Sequence, residues 1–262
     1  IYIPEFNNNA KIALIDDMKN AYHITQPIIT KTDKEDYKTV FSDSIMLNVS
    51  RGCTRGCRFC MSSYLYRPLR ETTIKELVDI ALKTRENTNL NKIATPSLRI
   101  DSLSRETLET LKKSGLKSIT IAPESISTLR ERINKSISDE KIFSVIKNAV
   151  DLDFNIKLYF LIGIPYESKE DIEELANYIE KIANMHKNRK YIKFSINPVI
   201  PKPQTPLQWE VYNFKEIKSK TRYLKKKLRK YNVKFESPKK GLIQYILSCG
   251  NREVGALIEK SL

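Results

Sequence analysis

The sequence predicts an α/β protein built on a parallel sheet, and three observations carry that prediction. Stretches of helical periodicity alternate with short apolar runs along most of the chain. One run, residues 156–162, is almost unbroken in hydrophobicity, as a strand covered on both faces must be. The helical stretches open on Thr73, Ser104, Ser138 and Ser168, residue types that cap the free N–H groups of a first turn.

Each element follows in order. Residues 45–49 (IMLNV) read as a first strand. Thr73-Ile74-Lys75-Glu76 has the form of a capping box, and Ile74, Leu77, Val78, Ala81 and Leu82 recur behind it at helical spacing. Ser104 starts a second helix, with Leu108 and Leu111 inward and Gly115 as its stop. Residues 117–121 read as a buried strand. Ser138 opens a helix carrying Ile142, Val145, Ile146 and Ala149. After the strand at 156–162, Ser168 opens a helix with Ile172, Leu175, Ala176, Ile179 and Ile182, and residues 191–200 form the last strand. Alternating units of this kind make a parallel sheet or an open barrel. Sites in such folds lie beyond the carboxyl ends of the strands. The cysteine loop, Glu124, Gly163 and residues 198–206 all fall at such ends.

Composition narrows the class. The 262 residues are 40% hydrophobic and 29% charged, the balance of a folded globular chain rather than a disordered one. No apolar run approaches the ~18 residues of a membrane span, and the opening residues lack the basic start and apolar core of a signal peptide. A cytoplasmic protein without membrane contact is expected. The chain starts on Ile1 rather than Met, as a piece of a longer protein would. Net charge is +15, and residues 215–240 hold twelve Lys/Arg against two Glu. Ile217, Thr221, Leu224, Leu228 and Tyr231 form one apolar stripe through that block, so it reads as an amphipathic helix docked by its stripe. Nucleic acid is not the favoured partner, because no aromatic residues interleave the basic face as a base-stacking platform requires.

The cysteines carry the chemistry. Three of the four lie within eight residues, Cys53, Cys57 and Cys60, and the fourth is Cys249. A clustered set in a chain of this size is not a disulfide framework. Structural zinc wants four closed ligands, whereas the loop offers three. Three thiolates spaced C-x3-C-x2-C suit a [4Fe–4S] cluster with one iron left open. Gly52 and Gly56 let the loop approach closely, and Arg51, Arg55 and Arg58 ease the crowding of thiolates.

This loop, with Phe59 directly before its last cysteine and an apolar strand before it, resembles the signature of the radical SAM superfamily. Further stretches resemble the branch that carries a cobalamin-binding domain ahead of the barrel: YRPLR (66–70), PSLRIDSL (96–103), IAPES (121–125), LYFLIGIPYE (158–167), VIPKPQTPLQW (199–209) and GNREVGALIEK (250–260). The resemblance implies a partial, open parallel βα barrel over 45–205, a connector at 1–44 and a C-terminal helical extension at 206–262. It implies a [4Fe–4S] cluster on Cys53, Cys57 and Cys60 and reductive cleavage of S-adenosylmethionine (SAM) to a 5′-deoxyadenosyl radical. A relative of cobalamin-dependent C-methyltransferases is the leading reading. Two others stand beside it: a cobalamin-free radical SAM enzyme acting on nucleic acid, and a non-catalytic Fe–S or zinc-binding fragment.

Residue by residue, the resemblance places Phe59 beside the cluster and adenine, Glu124 on the ribose and Lys135 on the methionine carboxylate. It places Gly163, Val199 and Ile200 against adenine. Arg67 and Arg70 follow the loop and are candidates for an anionic substrate. A flavodoxin- or ferredoxin-like one-electron donor and a small-molecule or peptide substrate are the implied partners. Two departures stand out. No Asp-x-His-x-x-Gly loop for cobalt is present, so either cobalamin comes from a domain outside this chain or it is not used. One βα unit is also missing by count, because about ten residues separate the first helix from Pro96 where a unit needs ~25.

Overall fold

The computed structural model describes residues 15–28, 34, 44–90, 92–94, 98–113 and 115–261. The connector expected over 1–44, and part of the 96–103 stretch, lie largely outside the described residues.

Strand β1 (Ser44–Met46) runs parallel to β4 (Lys92–Ala94), and helix α1 (Ile74–Asn87) crosses between them. α1 starts where the sequence places it: the Thr73 side chain accepts from Glu76 N, and Glu76 reaches back to Thr73 N at 2.8 Å. Ile45, Leu47, Leu77, Ala81 and Leu90 close a small core here. Strand β1 ends earlier than the apolar run suggests. The chain turns instead into β2 (Ser50–Arg51), which pairs antiparallel with β3 (Arg70–Glu71). The cysteine loop is the tip of that ribbon.

The larger sheet is fully parallel, in the order β5 (Ser118–Glu124), β6 (Asn155–Ile162), β7 (Ile192–Pro198), β8 (Val233–Phe235). A hydrogen bond from Leu98 N to Thr120 O, 2.9 Å, joins the chain after β4 to β5. Helices α2 (Arg105–Lys113), α3 (Ser127–Arg132), α4 (Asp139–Asp151), α5 (Lys169–Ala183) and α6 (Phe214–Lys227) fill the crossovers. α7 (Pro238–Cys249) and α8 (Glu253–Ser261) follow β8. The main core is the inner face of β5–β7 with the apolar stripes of α2, α4, α5 and α6. β6 alternates more than its sequence suggests, with Lys157 exposed and Ile156, Leu158, Phe160 and Ile162 buried.

One strand alone lies between α1 and α2 among the described residues, where the sequence is a unit short. The parallel order is extended at the other end instead. β8 pairs with Phe194–Ile196 of β7 and lies inside the stretch read from sequence as an appended extension. The basic helix α6 is therefore the crossover between two sheet strands. The predicted stripe is buried throughout, but α6 carries only Ile217, Thr221 and Leu224 of it: the helix stops at Lys227, and Leu228 and Tyr231 follow in the turn beyond.

Candidate active site

Three features hold the cysteine loop in shape. Gly52 has φ +78°, and a Cβ there would lie 2.1 Å from Tyr66 O and 2.8 Å from Pro68 O, so no side chain fits. Tyr64 donates to Gly56 O at 2.7 Å, and Asn134 Nδ2 donates to the same carbonyl at 2.9 Å. Arg58 N bonds Ile133 O, and Leu207 N bonds Arg58 O, which ties the loop to the end of α3 and to the turn Pro206–Trp209 that follows β7.

The three thiols line one cavity of about 200 Å³ with Phe59, Glu124 and Lys135. Cys57 is buried, and Cys53 and Cys60 are half-buried. Burial pushes the Cys57 thiol up to about 11, with Lys135 pulling it down and the charges of Cys60 and Cys53 pushing it further up. Glu124 closes β5 in the left-handed region, φ 68°, and is buried. Its carboxylate accepts from Lys135 Nζ at 2.6 Å. Burial raises the Glu124 carboxyl, against the pull of Lys135. Ser63, on the same wall, has a buried Oγ with no partner.

These residues fit a multi-iron group better than a single ion. Among the described residues no three His, Cys, Asp or Glu side chains converge as a single metal ion requires. Three thiols on one loop around one cavity suit a body gripped at three corners. The two carboxylates on the cavity wall, Asp101 and Glu124, are already engaged by Arg55, Arg99 and Lys135, so among the described residues neither stands free as the fourth ligand of closed tetrahedral zinc.

The other expected residues separate. Gly163 and Val199 line a second cavity of about 690 Å³, with Leu207, Trp209 and Ile217. Gly163 has φ +80°, its N–H is held by Glu167 Oε2 at 2.7 Å, and a Cβ would press on Ile217 at 3.1 Å. Leu207 bridges the cavities, since it lines the second and bonds Arg58 beside the first. Ile200 is half-buried against the core. Neither Arg67 nor Arg70 lines the cysteine cavity. Arg70 is buried, with its guanidinium taken up by the carbonyls of Pro68, Ile15 and Tyr66. Arg67 donates to Ser63 O at 2.6 Å. Trp209 is 84% exposed, and Cys249 is exposed.

Sequence reasoning missed two charged clusters. Arg55 and Arg99 both reach Asp101 at 2.7 Å beside the cysteines. Lys220 is buried between Glu167, 2.8 Å, and Glu216, 2.5 Å. A lone Arg, Lys or Asp in a sequence reads as solvated; Asp101 and Glu216 are near Arg99 and Lys220 in sequence, but Arg55 and Glu167 join these clusters only through the fold.

Comparison with known proteins agrees with the fold. The family model described as the radical SAM superfamily matches residues 84–179. An uncharacterized protein of Methanocaldococcus jannaschii is 32% identical over 90% of this chain and 58% of its own length. A cytidylyl-2-hydroxyethylphosphonate methyltransferase of Streptomyces wedmorensis is 26% identical over 55% of this chain and 34% of its own. An uncharacterized methyltransferase of Pyrococcus horikoshii is 25% identical over 62% and 40%. The chain thus spans between a third and three fifths of the length of these relatives. Among solved structures, the radical SAM methyltransferase TsrM of Kitasatospora setae, with cobalamin and a [4Fe–4S] cluster bound, superposes with a TM-score of 0.52 at 12% identity. That match covers 64% of this chain and 39% of TsrM. Methylornithine synthase superposes with a TM-score of 0.50 at 13% identity over 80% of this chain and 73% of its own.

Proposed function

We propose that this chain of the radical SAM superfamily holds a [4Fe–4S] cluster on Cys53, Cys57 and Cys60 and cleaves S-adenosylmethionine there. The observation that carries the reading is one cavity shared by three thiols of a single loop and a buried Glu124–Lys135 pair. When bound, such a cluster supplies one electron through its open iron, and the C5′–S bond of SAM breaks to methionine and a 5′-deoxyadenosyl radical.

The chain's own residues bind, orient and exclude water. The Cys57 thiol, pushed up to about 11, gives up its proton as iron loads, so loading releases protons and weakens as pH falls. Lys135 offers its ammonium to the carboxylate of SAM, and Glu124 offers its carboxylate to a hydroxyl donor of the ribose. Phe59 shields the thiols from water. Gly163, Val199 and Ile200, which directly follow β6 and β7, are the residues this reading assigns to adenine. Arg67, exposed beside the loop, is the better placed of the two arginines for an anionic substrate.

The finer reading is a C-methyltransferase related to those that use cobalamin, supported by two relatives named as methyltransferases. Cobalamin would be held by a segment outside these 262 residues. A small molecule or a peptide would be the substrate, and a flavodoxin- or ferredoxin-like protein would deliver the electron. Four free cysteines suit the reducing cytoplasm. No helix among the described residues is long and apolar enough to cross a membrane.

The test is turnover. Protein reconstituted with iron and sulfide without oxygen, then given a strong one-electron reductant, should form 5′-deoxyadenosine and methionine from SAM in equal amounts. Full cluster loading with no cleavage would contradict the reading.

A further inference from the structure

Arg130 is almost fully buried, at 1% exposure, beside a core rich in leucine, isoleucine and phenylalanine. Every arm of its guanidinium is engaged. Nη1 donates to Ser125 O, Nε donates to Ile137 O at 3.0 Å, and Nη2 pairs with Asp139 Oδ1. Tyr178 of α5 donates to the same Asp139 oxygen at 2.8 Å, and its ring lies 5.9 Å from the guanidinium carbon. The main chain of Arg130 grips the same segment, since Arg130 O accepts from Lys135 N at 2.8 Å. A buried charge of this kind costs folding energy unless every donor is met.

The placement of the acceptors gives the arginine its purpose. Ser125 directly follows Glu124, and Ile137 lies two residues beyond Lys135. The guanidinium therefore pins both ends of the segment that leaves β5 at Glu124, passes through α3 and returns at Lys135. That return brings Lys135 Nζ within 2.6 Å of Glu124 Oε1 on the cavity wall. The same segment also holds the cysteine loop, through Ile133 O to Arg58 N and Asn134 Nδ2 to Gly56 O.

We infer that Arg130 is a positioning residue for SAM: it fixes the separation of Glu124 and Lys135 so that the pair meets the ligand preassembled. The inference rests on the proposed function, because it takes those two residues as contacts of SAM. A planar fork that spans three acceptors is a property of arginine, and lysine has no equivalent. Preorganisation of this kind appears in ligand affinity, not in cluster loading.

The test measures SAM affinity of the reconstituted, unreduced enzyme by equilibrium dialysis, with iron content and melting temperature read on each sample. Arg130→Lys should keep its iron and weaken SAM binding at least tenfold. In a background already carrying Glu124→Gln and Lys135→Met, Arg130→Lys should cost less than twofold more, because the residue acts through that pair. A purely structural arginine would instead lower affinity by the same factor in both backgrounds, and that result overturns the inference. So does an Arg130→Lys protein that keeps its iron and binds SAM like wild type. If Arg130→Lys does not fold, Asp139→Asn carries the test, since that carboxylate is about a third exposed. It should weaken SAM binding at least threefold, and unchanged affinity overturns the inference. A loaded wild-type enzyme that binds no SAM overturns both this inference and the proposed function.

Discussion

At the scale of single residues, the cysteine loop depends on positions where one atom decides the outcome. Gly52→Ala would place a methyl into the carbonyls of Tyr66 and Pro68 and force a left-handed backbone. The backbone conformation alone costs ~1–2 kcal/mol. Iron uptake should fall severalfold in that variant with helix content unchanged, read by iron analysis and circular dichroism. Asp101 gives a pH signature. Burial would raise its carboxyl, yet hydrogen bonds from Arg99 and Arg55 hold it well below the ordinary 3.8. A carboxyl lowered in the folded state adds stability that is fully present above its unfolded value. That stability is lost as pH falls through the folded value. Asp101→Asn should therefore lower the urea midpoint at pH 7, and the gap to wild type should begin to narrow as pH falls below about 4. An equal gap at pH 7 and pH 3 would contradict the account. The cysteines and their glycines are legible in sequence because their spacing is itself the signal. Arg130 and Lys220 are not, since Asp139 and Glu167 reach them only through the fold.

At the scale of elements, α6 shows what periodicity can and cannot reveal. The stripe is legible, and all five stripe residues are buried. Leu224→Ala should destabilise the protein by ~2–5 kcal/mol, as removal of a fully buried leucine does elsewhere. Changing Lys225, Lys226 and Lys227 to Glu leaves the stripe intact and should cost under ~1 kcal/mol. The pair that Lys227 makes with Glu173, 3.6 Å, is exposed on both sides. Thermal melts of the two variants separate docking from surface charge, and equal loss in both would contradict this assignment. The strand that follows, β8, was beyond the reach of the sequence. Val233-Lys234-Phe235 alternates, but three residues are too short a run to read as a strand, and pairing with Phe194–Ile196 makes them one. The β2–β3 ribbon is two residues long on each side and was hidden for the same reason. Helices with capping boxes at Thr73 and Ser168 were legible because local side chains satisfy their own first turn.

At the scale of the whole molecule, the parallel order explains why the candidate site lies where it does. β5, β6 and β7 end toward Glu124, Gly163 and Val199, and the cysteine loop reaches the same region through Leu207 and Ile133. The sequence reading ended the sheet at residue 200 because the basic block beyond it resembles an appendage. The structure makes that block a crossover helix. A net charge of +15 still calls for weak, salt-sensitive attraction to polyanions. Binding to RNA should be without sequence preference and should fall steeply with salt. A tight, sequence-selective complex at physiological salt would contradict the ranking of functions. The central claim is that Cys53, Cys57 and Cys60, and not Cys249, hold the iron. Iron and sulfide should be counted after anaerobic reconstitution of wild type, Cys249→Ala and the variant with all three loop cysteines changed to Ala. The account predicts about four irons and four sulfides per chain in the first two and almost none in the third. Loss of iron in Cys249→Ala, or its retention without the loop cysteines, would contradict it.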